Sequence, residues 1–346
     1  MCHHPQILTS IRSRCRLCGG RLLLLLAVVL VSGCAGGRVG DGASRRQSGS
    51  AADDVTRPGT TPIRVDFLYA FENEIQAPYY PIEGIGGLAY ARDGTLIFCD
   101  EKGGRVHALE PAGGEWYLFG SSPSRPYRPV DVRVDGFSIL LLDMGSRLLL
   151  RYDLNGVFQD RLLSFSHFDP TVERLPTAFD VDVDGRVVFC DANENQVLLL
   201  DSFLSLRQTI GEPGSHREQF SDPSGVAFLP DGGFVVADRG NRRLQRYSRL
   251  GYFETVIGGE FDLQNPCLTP QGIACDGFGN VFVADPAARS VHVYSRSLSF
   301  LFSIGADLGL LAAPEIPIDV AVGPDDLLAV ADRERSAILV YRIVYE

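Results

Sequence analysis

The chain is 346 residues long, enough for one large domain or two ordinary ones, and its 45% hydrophobic and 22% charged residues exclude a disordered chain. Its 43 acidic side chains outnumber 32 basic ones, and four arginines fall in the first 33 residues, leaving the remainder more negative than the overall −11. Such a surface repels polyanions, so nucleic acid is not an expected partner.

The N-terminal segment stands apart. Arg12, Arg14, Arg16 and Arg21 precede an unbroken apolar run from Leu22 to Val31, with no acidic residue among them. That is the charge pattern of an export signal, and ten apolar residues are too few to span a bilayer. Val31-Ser32-Gly33-Cys34 resembles the lipobox of bacterial lipoproteins. The resemblance implies removal of residues 1–33, a lipid on Cys34 and an extracytoplasmic, membrane-anchored chain; an ordinary secretory signal is the alternative. Ala35, in place of Asp, resembles the outer-membrane sorting pattern. Cys15 and Cys18, with His3 and His4, imitate a zinc motif inside a segment expected to be discarded. Residues 34–62 are rich in Gly, Ser, Ala and Arg and read as a flexible tether.

From residue 63 to 346 one pattern recurs. A short apolar run ends in aspartate at Asp100, Asp143, Asp191, Asp238, Asp285 and Asp332, at intervals of 43, 48, 47, 47 and 47 residues. A fixed period of this length is one supersecondary unit copied around a ring or along a solenoid. Each copy offers four β-runs between turn residues. The clearest is Ser224–Phe228, Phe234–Asp238, Arg243–Tyr247 and Phe253–Gly258, joined by tight turns such as Pro230-Asp-Gly-Gly233. This stretch, PSGVAF, PDGG and FVVADRGNRRLQRY, closely resembles the NHL repeat, and the other copies carry the pattern less completely. The expected fold is all-β: a six-bladed β-propeller of four-stranded antiparallel blades. The last copy lacks its outer strand, and the orphan run Val65–Phe71 is expected to supply it, so that the N-terminal strand closes the ring. Cys99 and Cys190 share one repeat position and read as small buried side chains; pairing of Cys267 with Cys275 stays open, since export permits it.

Alternating strand direction sorts the connections. The a–b turns are minimal, as at Asp135-Gly136 and Asp231-Gly232, while the d–a connections are long, as from Gly211 to Pro223. Long loops on a rigid scaffold are where binding concentrates. The binding candidates on that face are therefore Tyr79, Tyr80, Tyr127, His167, Phe168, His216, Phe220 and Phe261. The six strand-end aspartates are expected to accept backbone N–H bonds from their turns rather than form a functional ring. At the start of strand a stand Gly87, Asp131, Asp180, Gly225, Gly272 and Asp319, and convergence of Asp131, Asp180 and Asp319 on the axis would favour a cation, Ca²⁺ by oxygen preference. Arg133, two residues after Asp131, offers a competing source of positive charge.

The expected role is a scaffold binding a protein or cell-envelope component through the long-loop face, with no catalytic residue assigned. No GxSxG, HExxH or phosphate-cradling loop follows residue 33. The alternative is a metal-dependent enzyme. Exported propellers similar to this one include peptidylglycine amidating lyases, whose likeness implies three zinc-binding histidines, and calcium-dependent lactonases. After the signal only His107, His167, His216 and His292 remain, and His107 and His292 share one strand-c position away from the axis. A mixed set of His167, His216 and Asp180 is the remaining zinc possibility.

Overall fold

The computed structural model describes residues 60–72, 82–110, 116–119, 126–168, 171–262, 264–309 and 311–346. The export signal, Cys34, residues 34–59 of the tether, Tyr79 and Tyr80 lie outside the described residues. The described residues form twenty-four strands in six four-stranded antiparallel sheets, the blades of a propeller. The inner strand, a, spans Ile85–Tyr90, Pro129–Val134, Pro176–Val181, Pro223–Phe228, Ile273–Cys275 and Pro317–Val322 in blades one to six. These six strands touch their neighbours around the axis.

Strand b explains the nearly continuous apolar runs. In blades one, three, four and five each of its residues is buried, because neighbouring blades cover both faces of each sheet. One cluster joins Phe98 and Leu88 of blade one to Ala329, Ala331 and Ile338 of blade six. Another joins Val188 and Cys190 of blade three to Val226 and Phe234 of blade four. Cys99 and Cys190 are fully buried, as expected of their shared position. Cys267 and Cys275 are free thiols, so the disulfide left open by the sequence does not form; the Cys267 sulfur instead lies 3.1 Å from the Tyr294 hydroxyl.

Ring closure follows the expected route. The strand Pro62–Glu72 pairs antiparallel with the C-terminal strand Ala337–Tyr345, giving blade six its outer edge. Val65 opposite Ile343 and Phe67 opposite Tyr341 pack into the core shared by blades five and six. Without this strand the C-terminal strand would present a row of unpaired backbone groups. Starting the chain at residue 73 is expected to cost about 3–6 kcal/mol, the burial of two or three apolar side chains, in urea unfolding against a chain starting at residue 60. An unchanged unfolding midpoint would show that the seam is closed some other way.

Candidate functional site

The six strand-end aspartates are buried and structural, and each holds more than its own turn. The Asp143 carboxylate accepts N–H bonds from Tyr127 and Arg128 at 3.1 and 2.7 Å on the incoming loop, and from Gly145 at 3.2 Å in the b–c turn. Asp332 does the same with Glu315 and Ile316 on one side and Glu334 and Arg335 on the other. Each of these aspartates therefore clasps the end of a long loop, just before strand a, to the b–c turn. His107, Gln245 and His292 stand opposite the residue two before the aspartate. They approach Asp100, Asp238 and Asp285 at 3.9, 3.2 and 3.6 Å. These two histidines support clasps, not a metal centre.

The axis carries a different cluster. Asp131 at the start of strand a in blade two accepts the Phe179 N–H of blade three at 2.9 Å, and Asp319 of blade six accepts the Leu88 N–H of blade one at 2.9 Å. Asp180 of blade three accepts the Phe228 N–H of blade four at 2.7 Å. The pairing register corrects one equivalence read from the sequence. Asp131, Gly225 and Asp319 each stand opposite the residue before a strand-end aspartate, and in blade three that place belongs to Ala178. Asp180 lies two residues further along, level with Arg133. That shift brings the Arg133 Nε within 3.3 Å of Asp180, while its Nη1 donates to Asp131 at 2.6 Å.

Arg133 thus occupies the place a cation would take. The Asp131 oxygens are also engaged by its neighbour's amide, Val132 N–H at 2.8 Å. Among the described residues no three His, Cys, Asp or Glu side chains gather in an arrangement that could hold a metal ion. The axial carboxylates therefore do not fit as a calcium ligand set, and His167, His216 and Asp180 do not assemble into a zinc set. Burial pushes all three axial carboxyls upward, and Arg133 draws them back. Asp319, which also feels Asp131, is raised to about 7. Burial acts to lower the Arg133 guanidinium, but Asp131, Asp180 and Asp319 raise it above its ordinary range, so it stays charged.

Above this floor opens a cup of about 230 Å³ on the long-loop face, lined by Glu101, Arg128, Ser224, Arg239, Asp319 and Arg333 among others. A smaller space of about 150 Å³ lies on the far side, and Arg133 borders both, a plug at the waist of the channel. Close strand approach sets the cup's width: a Cβ on Gly272 would lie 2.0 Å from the Asp319 Oδ1. At the rim, Arg128 donates to Glu101 at 2.6 Å and Arg239 to Asp222 at 2.7 Å, while Arg333 is exposed.

The aromatic loop candidates fare unequally. Tyr127, the residue before the cup-lining Arg128, is 80% exposed, and His167 and His216 are exposed. Phe168 is half-buried against Phe165. Phe220 is 0% exposed, packed on Tyr247 and close to Gly211, so it belongs to the core and not to a binding surface. Phe261 lies in the short 3-10 turn Gly259–Phe261. The rim arginines Arg128, Arg239 and Arg333 escaped the sequence reading, which searched the loops for aromatic and histidine residues; their flanking position beside a strand-end aspartate or a strand-opening proline was the available signal.

Comparison with known proteins agrees with this geometry. The NHL repeat profile matches residues 220–247. Human NHL-repeat-containing protein 4 is 32% identical over 123 residues, 35% of this chain and 90% of that protein. The chain belongs to the NHL-repeat family. The human E3 ubiquitin-protein ligase NHLRC1 is 29% identical over 109 residues, 32% of this chain, but the match spans only 26% of the ligase. Among solved structures, the gluconolactonase XC5397 of Xanthomonas campestris superposes with a TM-score of 0.60 at 14% identity, over 83% of this chain and 99% of that one. At that identity the likeness is one of fold.

The NHL propeller's axial cluster gives a pH test. Asp319 contributes stability that is fully present below the ordinary carboxylate value of 3.8 and is lost as pH rises through about 7. Asp319→Asn keeps an oxygen for the Leu88 N–H but does not titrate. Its stability relative to the parent is expected to rise by on the order of 2 kcal/mol between pH 5 and pH 8, measured by urea unfolding at each pH. A difference independent of pH would contradict the assignment.

Proposed function

We propose that this NHL propeller is a lipid-tethered, extracytoplasmic binding scaffold whose long-loop face holds a protein or cell-envelope ligand over the mouth of the axial channel. The cup carries the reading. It gathers guanidinium groups from blades four and six and from the approach to blade two around a preorganised polar floor, and exposed Tyr127 precedes the lining Arg128 on the same incoming loop. Tyrosine and arginine are the side chains most often found at binding hot spots, and arginine matches carboxylate or phosphate oxygens in pairs. The clasps made by buried aspartates hold the loops in place before a ligand arrives, which lowers the entropy cost of binding. The lipid on Cys34 and the outer-membrane address complete the proposal from the sequence.

A metal-dependent lactonase or lyase remains the competing class in this fold, and Arg133 between Asp131 and Asp180 speaks against it here. Photo-crosslinking separates the two. A benzoylphenylalanine at Tyr127 is expected to give a discrete adduct with a component of the native envelope, whereas one at Leu206 on the outer strand of blade three gives none. Arg333→Glu combined with Arg239→Glu is expected to reduce that adduct about ten-fold. Equal labelling from both positions would overturn the proposal. So would a stoichiometric metal in the purified chain that is lost in an Asp131→Asn/Asp180→Asn variant.

A further inference from the structure

Among the described residues, the three most exposed apolar side chains do not lie on the long-loop face. Phe137 (83% exposed), fully exposed Val183 and Phe203 (87% exposed) stand at the tips of a–b and c–d turns in blades two and three. Leu154 and Val157 extend the row in blade two, and Leu250 and Tyr252 extend it into blade four. Single exposed hydrophobic residues need no explanation, but a row across three consecutive blades does. Among the described residues, the long loops by contrast expose Tyr127, Leu175, Leu268 and Leu311, one to a loop.

The chain enters the propeller on the same side as the row. Pro62 pairs with Tyr345, at the end of the C-terminal strand that lies with the a–b and c–d turns. The Asn280 side chain, just after the a–b turn of blade five, donates to the Thr60 carbonyl at 2.8 Å, and the Glu346 N–H donates to the Thr61 carbonyl at 3.0 Å. A tether from Cys34 would therefore arrive at the short-turn face, and a random coil of about 25 residues has an average reach of about 25–30 Å.

We infer that the short-turn face is a membrane-docking surface, on which the apolar tips of blades two to four seat in the bilayer that holds the Cys34 lipid, leaving the cup directed away from the membrane. The inference rests on the lipid-tethered reading for the presence of a membrane at this face. In blades three and four charge on the turns is matched within the protein rather than offered to lipid headgroups, while in blade two Asp135 and Asp153 accept backbone N–H bonds of their own turns. Asp184 pairs with Arg249 at 2.7 Å, Asp201 with Arg207, and Asp182 with Arg186. Arg186 also donates to the Gly232 and Arg249 carbonyls of the next blade, so the tips of blades three and four form one stiff surface. Recognition is then by apolar insertion at the interface, and it depends little on lipid charge.

The test uses the full chain in vesicles of phosphatidylcholine with brominated acyl chains, which quench tryptophan at bilayer depth. Phe137→Trp, Phe203→Trp and Tyr127→Trp are compared with the parent, whose single tryptophan is Trp116. Added emission at 137 and 203 is expected to fall by about half, with emission at 127 unchanged. Quenching at 127 equal to or greater than that at 137 and 203 would overturn the inference. So would the absence of quenching at 137 and 203 in vesicle-bound protein, which would leave the row to a protein partner. The tether reading is scored separately, by intact mass and by flotation of the Cys34→Ala chain. If no lipid is present, the same quenching measurement on chain added to vesicles decides the inference, and failure to float overturns it. Phe137→Ser/Val183→Ser/Phe203→Ser, which removes only exposed groups, is expected to keep the parent melting temperature while abolishing quenching of a tryptophan placed at Leu250.

Discussion

A ring of six sheets has one seam, and the rest of the molecule depends on how it is sealed. Here a strand from the start of the domain pairs with the last strand of the chain. The pairing supplies the outer strand of blade six and joins the two ends of a 285-residue stretch into one cooperative unit, on the order of the largest single cores. A second contact crosses the same seam at the axis, where Asp319 accepts the Leu88 amide. The seam also fixes direction. Because the closing strand runs from the short-turn side to the long-loop side, the chain enters the propeller on the former, opposite the face on which the cup opens.

Aspartate carries much of the work inside this frame, with opposite electrostatic outcomes at equivalent places. Burial pushes the Asp100 carboxyl up, but the hydrogen bonds from His107, Gly103, Gly84 and Glu83 together outweigh it and hold the group below its ordinary value. Asp285, beside His292, follows the same course. At Asp238 burial wins, even with the Arg243 Nε at 2.7 Å. One repeated residue therefore gives blades of unequal response to pH, although the hydrogen-bonding role is shared. At the axis the carboxylates have no turn to hold. They reach across to the next blade, and Arg133 keeps three buried acids from repelling one another.

The blade count, the closing strand and the clasping role of the strand-end aspartates were legible because strand b is buried on both faces and ends in a group with an obligatory partner. Strand a has no such mark. A proline opens it in blades two, three, four and six, and Pro270 stands three residues before it in blade five, yet in blade three the aspartate falls four residues after Pro176 rather than two. The sequence alignment followed the carboxylate, and the register follows the proline. Phe220 looked like a loop aromatic, but the loop folds back so that its ring fills the space above Gly211. The apolar tips Phe137 and Phe203 sit in minimal turns, where loop length gives no sign of a surface. Loop length reports where a chain can vary, whereas exposure of large apolar groups reports where it leaves water-facing surface uncovered.

Native-state hydrogen exchange tests the sealed ring most directly. If the seam holds blade six as firmly as the others, the amides of Leu339, Val340 and Tyr341 exchange only through global unfolding, with the same free energy as Val235 and Val236 in the middle of blade four. Exchange of the Leu339–Tyr341 amides through a separate, lower-energy opening, while blade four stays protected, would contradict closure by the N-terminal strand and with it the assignment of the two faces.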